Sequence, residues 1–244
     1  MPAPLPSLRA LDDKRTSLVA ANAALLRLPG WGMDGVHSND AGSEAKILIP
    51  FCQLETKRLL LRQLREDDLP HSVKMLDNKR LVEYMNGIPH PYTMDDANWY
   101  LNDRRQKTQK GEVCLWAICL RDSNLAPGTS TYIGNIEVND IDTENSRGNV
   151  GYWIAESQWN NGYASEALAA VFTYVFGNTS IHKLTAYYTT KNVGSGKVME
   201  KCGMKREGLL KQHEKRHGAF LDVALYGILR SEWAARQNHA KGKY

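Results

Sequence analysis

No apolar run in this sequence approaches the ~20 residues that a membrane-spanning helix needs, so no membrane span is expected. Cysteine is sparse: Cys52, Cys114, Cys119 and Cys202 are the four, and no two form a C-x-x-C pair. That spacing gives no basis for a disulfide framework or a zinc site. Cys114 and Cys119 lie in an apolar, strand-like run that suits buried free thiols. Reduced thiols fit a cytoplasmic protein, and no metal is expected. Gly-Lys-Ser/Thr occurs nowhere, which removes the P-loop, and no strand–turn–helix stretch carries three glycines at dinucleotide-binding spacing. Charge of one sign is also scarce, because 31 Lys and Arg against 27 Asp and Glu leave a net +4. No basic stripe interleaved with aromatics appears, so no nucleic-acid partner is expected. Internal repeats and low-complexity tracts are missing too.

The 244 residues suffice for one sizeable core plus an extension. Residues 1–45 have the character of the extension. Pro2, Pro4 and Pro6 open it; Leu8, Leu11, Leu18, Ala21, Leu25 and Leu28 then share one helical face, and Pro29-Gly30 stops the helix. A polar, glycine-rich linker follows from Gly32 to Ser43. A mitochondrial presequence is the alternative for this helix, but Asp12 and Asp13 count against it. Docking on the domain or on a partner is the favoured expectation. Residues 46–244 are expected to form the folded domain, with its core at about 54–233.

The chain is organised around Gly151 to Ala167. An apolar strand there runs into the polar turn Asn160-Asn161-Gly162. Gly162 has no Cβ, so backbone can approach a bound group closely. A helix follows, with Ala164, Ala167, Leu168, Val171, Phe172, Val175 and Phe176 at i, i+3, i+4 and i+7 spacing, and Gly177 is placed to end it. The first turn, Tyr163-Ala164-Ser165, carries no charge before Glu166. Free N–H groups and the positive helix end make that turn an anion site.

Around it, Leu59–Leu61 forms a short buried strand, and Glu66-Asp67-Asp68 supplies acids to a helix's first turn, with Leu69, Val73 and Leu76 inside. Residues 78–92 form a loop. Thr93 and Asp96 make a capping box, with Asp in place of Glu or Gln, for a helix to about Gln109 that Gly111 ends. Val113–Leu120 is apolar on both alternations and should be a central strand. A turn at residues 122–130, a strand at 132–138, a turn at 140–148 and a strand at 149–155 complete a meander. Lys183–Thr190 is a further strand, Asn192 starts a short helix ending at Cys202-Gly203, and residues 204–213 and 219–229 form a last strand pair around His217-Gly218. This order of elements gives an α/β (α+β) domain with a mixed sheet.

The segment "GYWIAESQWNNGYASEA" resembles the coenzyme-A pyrophosphate loop of the GNAT N-acetyltransferases, and more closely that of the RimJ/RimL-like branch. "ETKRLLLRQL" near Leu54 and "LYGILRSEW" near the end resemble the same branch. Trp159 stands where the wider superfamily prefers Gln or Arg. The resemblance implies the GNAT fold: a mostly antiparallel sheet flanked by helices and splayed between residues 149–155 and 183–190, where the pantetheine arm of acetyl-CoA lies. It implies acetyl transfer to an amine acceptor in a ternary complex. Peptide N-terminal α-amines are favoured over polyamines, amino acids or aminoglycosides, because the final hairpin is basic (Lys211, Lys215, Arg216). A catalytically silent acyl-CoA-binding module is the rival reading. The resemblance also leaves room for a homodimer.

For the base, "GLLKQHE" resembles the RimL stretch and points to Glu214, with His213 as a rival and Glu137 as a backup. A solvated surface pair with Lys211, Lys215 or Arg216 is the plain alternative for Glu214. Most relatives carry a tyrosine acid where this chain has Met199; the RimL variant uses a serine, which Ser195 matches. Asn149 replaces a glutamate common just before the "GYW" strand. Cofactor contacts are expected from Ile154, Ala155, Trp159, Asn160, Asn161, Gly162, Tyr163, Ala164, Ser165, Asn192 and Ser195, with backbone N–H near Ile154 and Ala155 serving the oxyanion. For Asn192, helix capping is an equally natural role.

Overall fold

A computed structural model describes residues 46–85, 87–121, 130–216 and 218–241. The expected extension and the turn at Pro127-Gly128 lie outside the described residues. Eight strands form one sheet: β1 (Leu54–Glu55), β2 (Leu59–Arg62), β3 (Cys114–Arg121), β4 (Ser130–Asp142), β5 (Arg147–Ile154), β6 (Lys183–Thr189), β7 (Lys205–Arg216) and β8 (Ala219–Leu229). The helices are α1 (Leu69–Leu76), α2 (Lys79–Val82), α3 (Met94–Gln109), α4 (Tyr163–Asn178), α5 (Val193–Lys201) and α6 (Arg230–Lys241). Strand order is β1-β2-β3-β4-β5-β6-β8-β7, and every neighbouring pair is antiparallel except β5–β6. No helix among the described residues is long and apolar enough to cross a membrane.

Period-2 alternation gives the sheet two buried faces. Trp116, Ile118, Ile136, Val150 and Leu184 pack under the apolar stripe of α4, from Ala167 to Phe176. Leu115, Ala117, Cys119 and Tyr132 pack under α1 to α3. Strand β3 contributes to both clusters and is buried from Cys114 through Cys119, as its unbroken apolar run requires. The capping box forms as expected, with the Asp96 amide donating to Thr93 Oγ1 at 3.3 Å and the Thr93 amide donating to Asp96 Oδ2 at 2.9 Å.

Several element ends differ from expectation. Gly177 does not end α4; the helix runs to Asn178, where the amide and hydroxyl of Thr179 both donate to Val175 O. A polar side chain closes the last turn, so no glycine is needed there. The loop at 78–92 contains α2, whose first amides donate to Asn78 Oδ1. Strand β7 extends past 213 to Arg216 because a bulge lets it continue: Leu210 pairs with Val223 and Glu214 with Leu221, so β7 spends four steps against two. Gln212 takes φ 50° there, and its amide donates to Asp222 Oδ1 at 2.7 Å.

One buried ion pair fastens the helical layer over the second face. Arg62 of β2 meets both oxygens of Asp68, just before α1, at 2.7 Å each, with side chains 8% and 5% exposed. A third hydrogen bond reaches Asp68 from the Arg65 amide at 2.9 Å. Arg62→Met leaves this carboxylate buried without its cation and should cost about 3–5 kcal/mol in urea unfolding. The double variant with Asp68→Leu should recover much of that loss. Equal stability of Arg62→Met and wild type would show that the pair does not hold the layer.

Candidate active site

Strands β5 and β6 pair only over Arg147–Lys183, Gly148–Leu184 and Asn149–Thr185, and then part. Beyond Asn149, β5 keeps its ladder to β4 on one side and has no strand on the other. N–H groups alternate in direction along such a ladder. The Ala155 amide donates to Ile133 O at 2.8 Å, toward β4. It is therefore unavailable as an oxyanion donor, which corrects that expectation. The Ile154 amide, one residue back, points the opposite way, into the gap.

Trp159 turns back on this strand and donates its indole N–H to Ile154 O at 2.7 Å. Arg80 lies over its ring at 5.5 Å, so this side chain braces the gap. Gly162 takes φ 78° as the N-cap of α4, and no side chain caps the first-turn amides. A Cβ on Gly162 would lie 3.6 Å from Arg58 Nη2 and 3.8 Å from Lys201 Nζ. Two cations thus flank open amides, an arrangement suited to a phosphate group. Arg58 also donates to Asn161 O at 2.9 Å and stands over the Tyr163 ring at 4.6 Å, fixing the turn's shape. Ser165 is buried, and its carbonyl accepts from the Cys202 thiol at 3.3 Å.

Helix α5 begins at the gap. Asn192 spends its side chain on Ser195, accepting from the Ser195 amide at 3.2 Å and donating to Ser195 Oγ at 3.2 Å. The serine hydroxyl accepts that bond and keeps its own proton free to donate. Across the gap, Tyr152 of β5 donates to Ser195 O at 3.2 Å. Burial, the largest influence, holds the Tyr152 phenol above its ordinary pKa. Met199 is 2% exposed and belongs to the core, so no helix-borne phenol enters the site at that position.

Glu214 is 7% exposed, and its partner is Arg216 rather than a neighbouring lysine. Arg216 donates to Glu214 Oε2 from Nε at 3.1 Å and Nη2 at 2.8 Å, and its Nη1 donates to Glu83 O at 3.0 Å. Glu214 Oε1 is buried with no hydrogen-bond partner among the described residues. His213 is exposed on β7, so burial separates these adjacent candidates. Glu137 is more heavily engaged: Arg104 Nε lies at 3.0 Å, Tyr100 donates at 3.3 Å and Asn139 donates at 2.8 Å. Asn149 joins this network by donating to Asn139 Oδ1 at 3.0 Å. Tyr187 of β6 faces both acids; burial first, then Glu214, Asp140 and Glu137, holds its phenol above the ordinary pKa. Ser195 thus sits across from Tyr152 of β5 and Glu214 acts on Tyr187 of β6, and no hydrogen bond joins Ser195 to Glu214 among the described residues.

Sequence reasoning missed Tyr152, Tyr187, Arg58 and Lys201. Arg216 was among the basic neighbours expected near Glu214, and residues i and i+2 of a strand share a face. Burial pushes the Cys114 and Cys202 thiols up to about 12 and about 11, so neither is a thiolate near neutrality.

Glu166 ties the β1–β2 turn to α4. It accepts from Thr56 Oγ1 at 2.6 Å, the Arg58 amide at 2.9 Å and Arg58 Nε at 2.7 Å. Burial alone would raise its pKa, but these bonds and the Arg58 charge outweigh it and hold the carboxyl below its ordinary 4.5. A depressed folded pKa contributes stability above about pH 4.5 that is lost as pH falls through the lower folded value. Melts between pH 3 and 7 should show Glu166→Gln less stable than wild type at pH 7, with the difference shrinking on acidification. A pH-independent difference would show that the charge does not hold the turn.

An Acetyltransferase (GNAT) domain family matches residues 58–205. Among curated proteins, the chain is similar to the uncharacterized N-acetyltransferase p20 of Bacillus licheniformis, 27% identical over 181 residues, spanning 74% of this chain and 98% of that one. Among solved structures it resembles RimL, a ribosomal L7/L12 alpha-N-protein acetyltransferase in complex with coenzyme A (22% identity, TM-score 0.63, 75% of this chain and 98% of that chain). It also resembles spermidine N-acetyltransferase from Vibrio cholerae in complex with CoA and spermine (21% identity, TM-score 0.62, 73% and 99%). At these identities the two structures establish a shared fold. The matched span carries the parted strands, the Gly162 turn and α5. This chain belongs to the GNAT acetyltransferase family and is an N-acetyltransferase.

Proposed function

We propose that the protein moves an acetyl group from acetyl-CoA directly to a primary amine, and that the amine is a peptide N-terminal α-amine. The observation that carries the chemistry is Glu214: a buried carboxylate with one oxygen held by Arg216 and the other unpartnered. Acetyl-CoA supplies the acyl group. Its phosphates suit the open amides of α4 between Arg58 and Lys201, and its pantetheine arm suits the unpaired edge of β5.

Glu214 Oε1 takes the proton of the acceptor ammonium, which frees the nitrogen lone pair to attack the thioester carbonyl. The Ile154 amide receives the developing oxyanion. Ser195 Oγ–H, oriented by Asn192, returns a proton to the leaving thiolate. The carbon–nitrogen bond forms and the carbon–sulfur bond breaks; the acylated nitrogen then sheds its second proton, which replaces the one Ser195 gave to the thiolate, and one proton is left on Glu214. Buried neutral thiols at Cys114 and Cys202 favour direct transfer over a covalent cysteine intermediate.

The acceptor reading rests on charge. Of the three carboxylates that act on Tyr187, Glu137 and Glu214 are already paired with Arg104 and Arg216. A second ammonium, as in a polyamine, would gain little from carboxylates so compensated. RimL acts on a protein α-amine and the spermidine enzyme on a polyamine, so the fold accommodates both. Thiol release should be measured against Ser-, Ala- and Met-starting peptides, polyamines, amino acids and an aminoglycoside. A peptide is expected to give the highest kcat/KM; a polyamine acetylated tenfold faster would overturn the acceptor assignment. Glu214→Gln should lower kcat/KM by about 10²–10⁴ while still binding CoA. Activity within a few-fold of wild type would move the base elsewhere. CoA binding with no release toward any amine would favour a silent acyl-CoA-binding module.

A further inference from the structure

A cavity of about 720 Å³ opens beside the Gly162 turn, between α4, the C-terminal end of α5 and α6. Its floor includes Trp233, and its rim carries Arg58, Lys201, Arg236 and His239. The only carboxylate lining it is Glu166, which Arg58 already neutralises at 2.6 Å. Among the described residues, neither Lys201 nor Arg236 meets a carboxylate; Glu232 of α6 pairs instead with Lys205. Two positive side chains are therefore held together at one cavity without a counter-charge. Like charges repel, and such an arrangement is stabilised when an anion enters.

The seat of Arg236 is built rather than incidental. Its Nη2 donates to Lys201 O at 3.2 Å, which brings the two cations side by side. Its guanidinium lies over Gly203, at φ 90°, where a Cβ would come within 2.5 Å of Nε and 2.7 Å of Cζ. Only a residue without a side chain admits the arginine there. Cations thus extend in a row from Arg58 through Lys201 at Gly162 to Arg236. Coenzyme A carries its phosphates in two places, a pyrophosphate and a ribose 3′-phosphate. The open amides of α4 with Arg58 account for the first and leave Arg236 for the second.

We propose that α6 forms a wall of the donor site and that Arg236, with Lys201, recognises the 3′-phosphate of coenzyme A, so that the enzyme discriminates against dephospho-CoA. Helix α6 lies wholly outside the matched family span of residues 58–205. The inference rests on the donor reading above and deepens it.

The test is calorimetric titration of the full chain with CoA and with dephospho-CoA, at low and high salt. Wild type should bind CoA roughly tenfold more tightly, since charged hydrogen bonds of this kind are among the stronger ones. The ratio should shrink as salt rises. Arg236→Ala should weaken CoA binding by about that factor and leave dephospho-CoA affinity unchanged, with Arg236→Lys retaining part of the preference. Lys201→Ala, on a different helix, should weaken both ligands because Lys201 also flanks the Gly162 amides, but CoA the more, which narrows the same ratio and keeps the test valid if α6 does not tolerate the first change. Equal wild-type affinity for the two ligands overturns the proposal, as does a variant that weakens both alike. Failure of wild type to bind CoA at all would instead overturn the donor reading, a result distinct from equal binding.

Discussion

Backbone N–H and C=O groups that lose a partner inside a protein must find another. The parting of β5 from β6 after three paired residues imposes that demand, and the surrounding structure answers it. Ile154 O is met by the indole of Trp159, while the Ile154 amide stays directed into the gap. Tyr152 reaches across to the start of α5, and Asn192 and Ser195 are locked together there. What stays unpaired is a strand edge of the length and polarity that a peptide-like arm can complete. A closed β5–β6 ladder would leave neither an arm site nor a place for the α4 amides to act in concert with it.

Arginine fixes the charges that border this gap. Arg58 folds the β1–β2 turn onto Glu166, Arg104 holds Glu137 and Arg216 holds Glu214. A carboxylate in poorly solvated surroundings keeps its charge only with such a partner, and the planar fork also fixes the carboxylate's orientation. The two acids differ in what is left over. Glu137 has both oxygens engaged by neighbours, whereas Glu214 has one engaged and one buried without a partner. That difference is the ground on which Glu214 rather than Glu137 is proposed as the base. On the opposite side of the sheet the balance reverses: among the described residues, Lys201 and Arg236 share a cavity with no free carboxylate, the charge pattern on which the donor proposal rests.

Much of the fold was legible in the sequence. The apolar run at Cys114–Cys119 identified the doubly buried strand, the i, i+3, i+4 stripe of α4 identified its core face, and Thr93 and Asp96 identified a helix start. Each rests on local periodicity or on a cap that spans one turn. The candidate site was legible where its residues are close in sequence: the Gly162 turn, the Asn192–Ser195 pair and Glu214. Element ends were less so, as at Gly177, because a Thr179 cap serves the last turn equally well.

Sequence alone therefore determined most of the elements and the turn that starts α4 at Gly162, since these depend on neighbours within a few residues. The tertiary structure decided which groups those residues meet. It took the Ala155 amide out of the oxyanion role by pairing it with β4, and it buried Met199 in the core. It selected Arg216 from the basic residues near Glu214 as that carboxylate's partner, and it brought Arg236 of the last helix onto the backbone of Lys201. These outcomes depend on strand register, on a bulge and on contacts between segments far apart in the chain, and no local pattern encodes them.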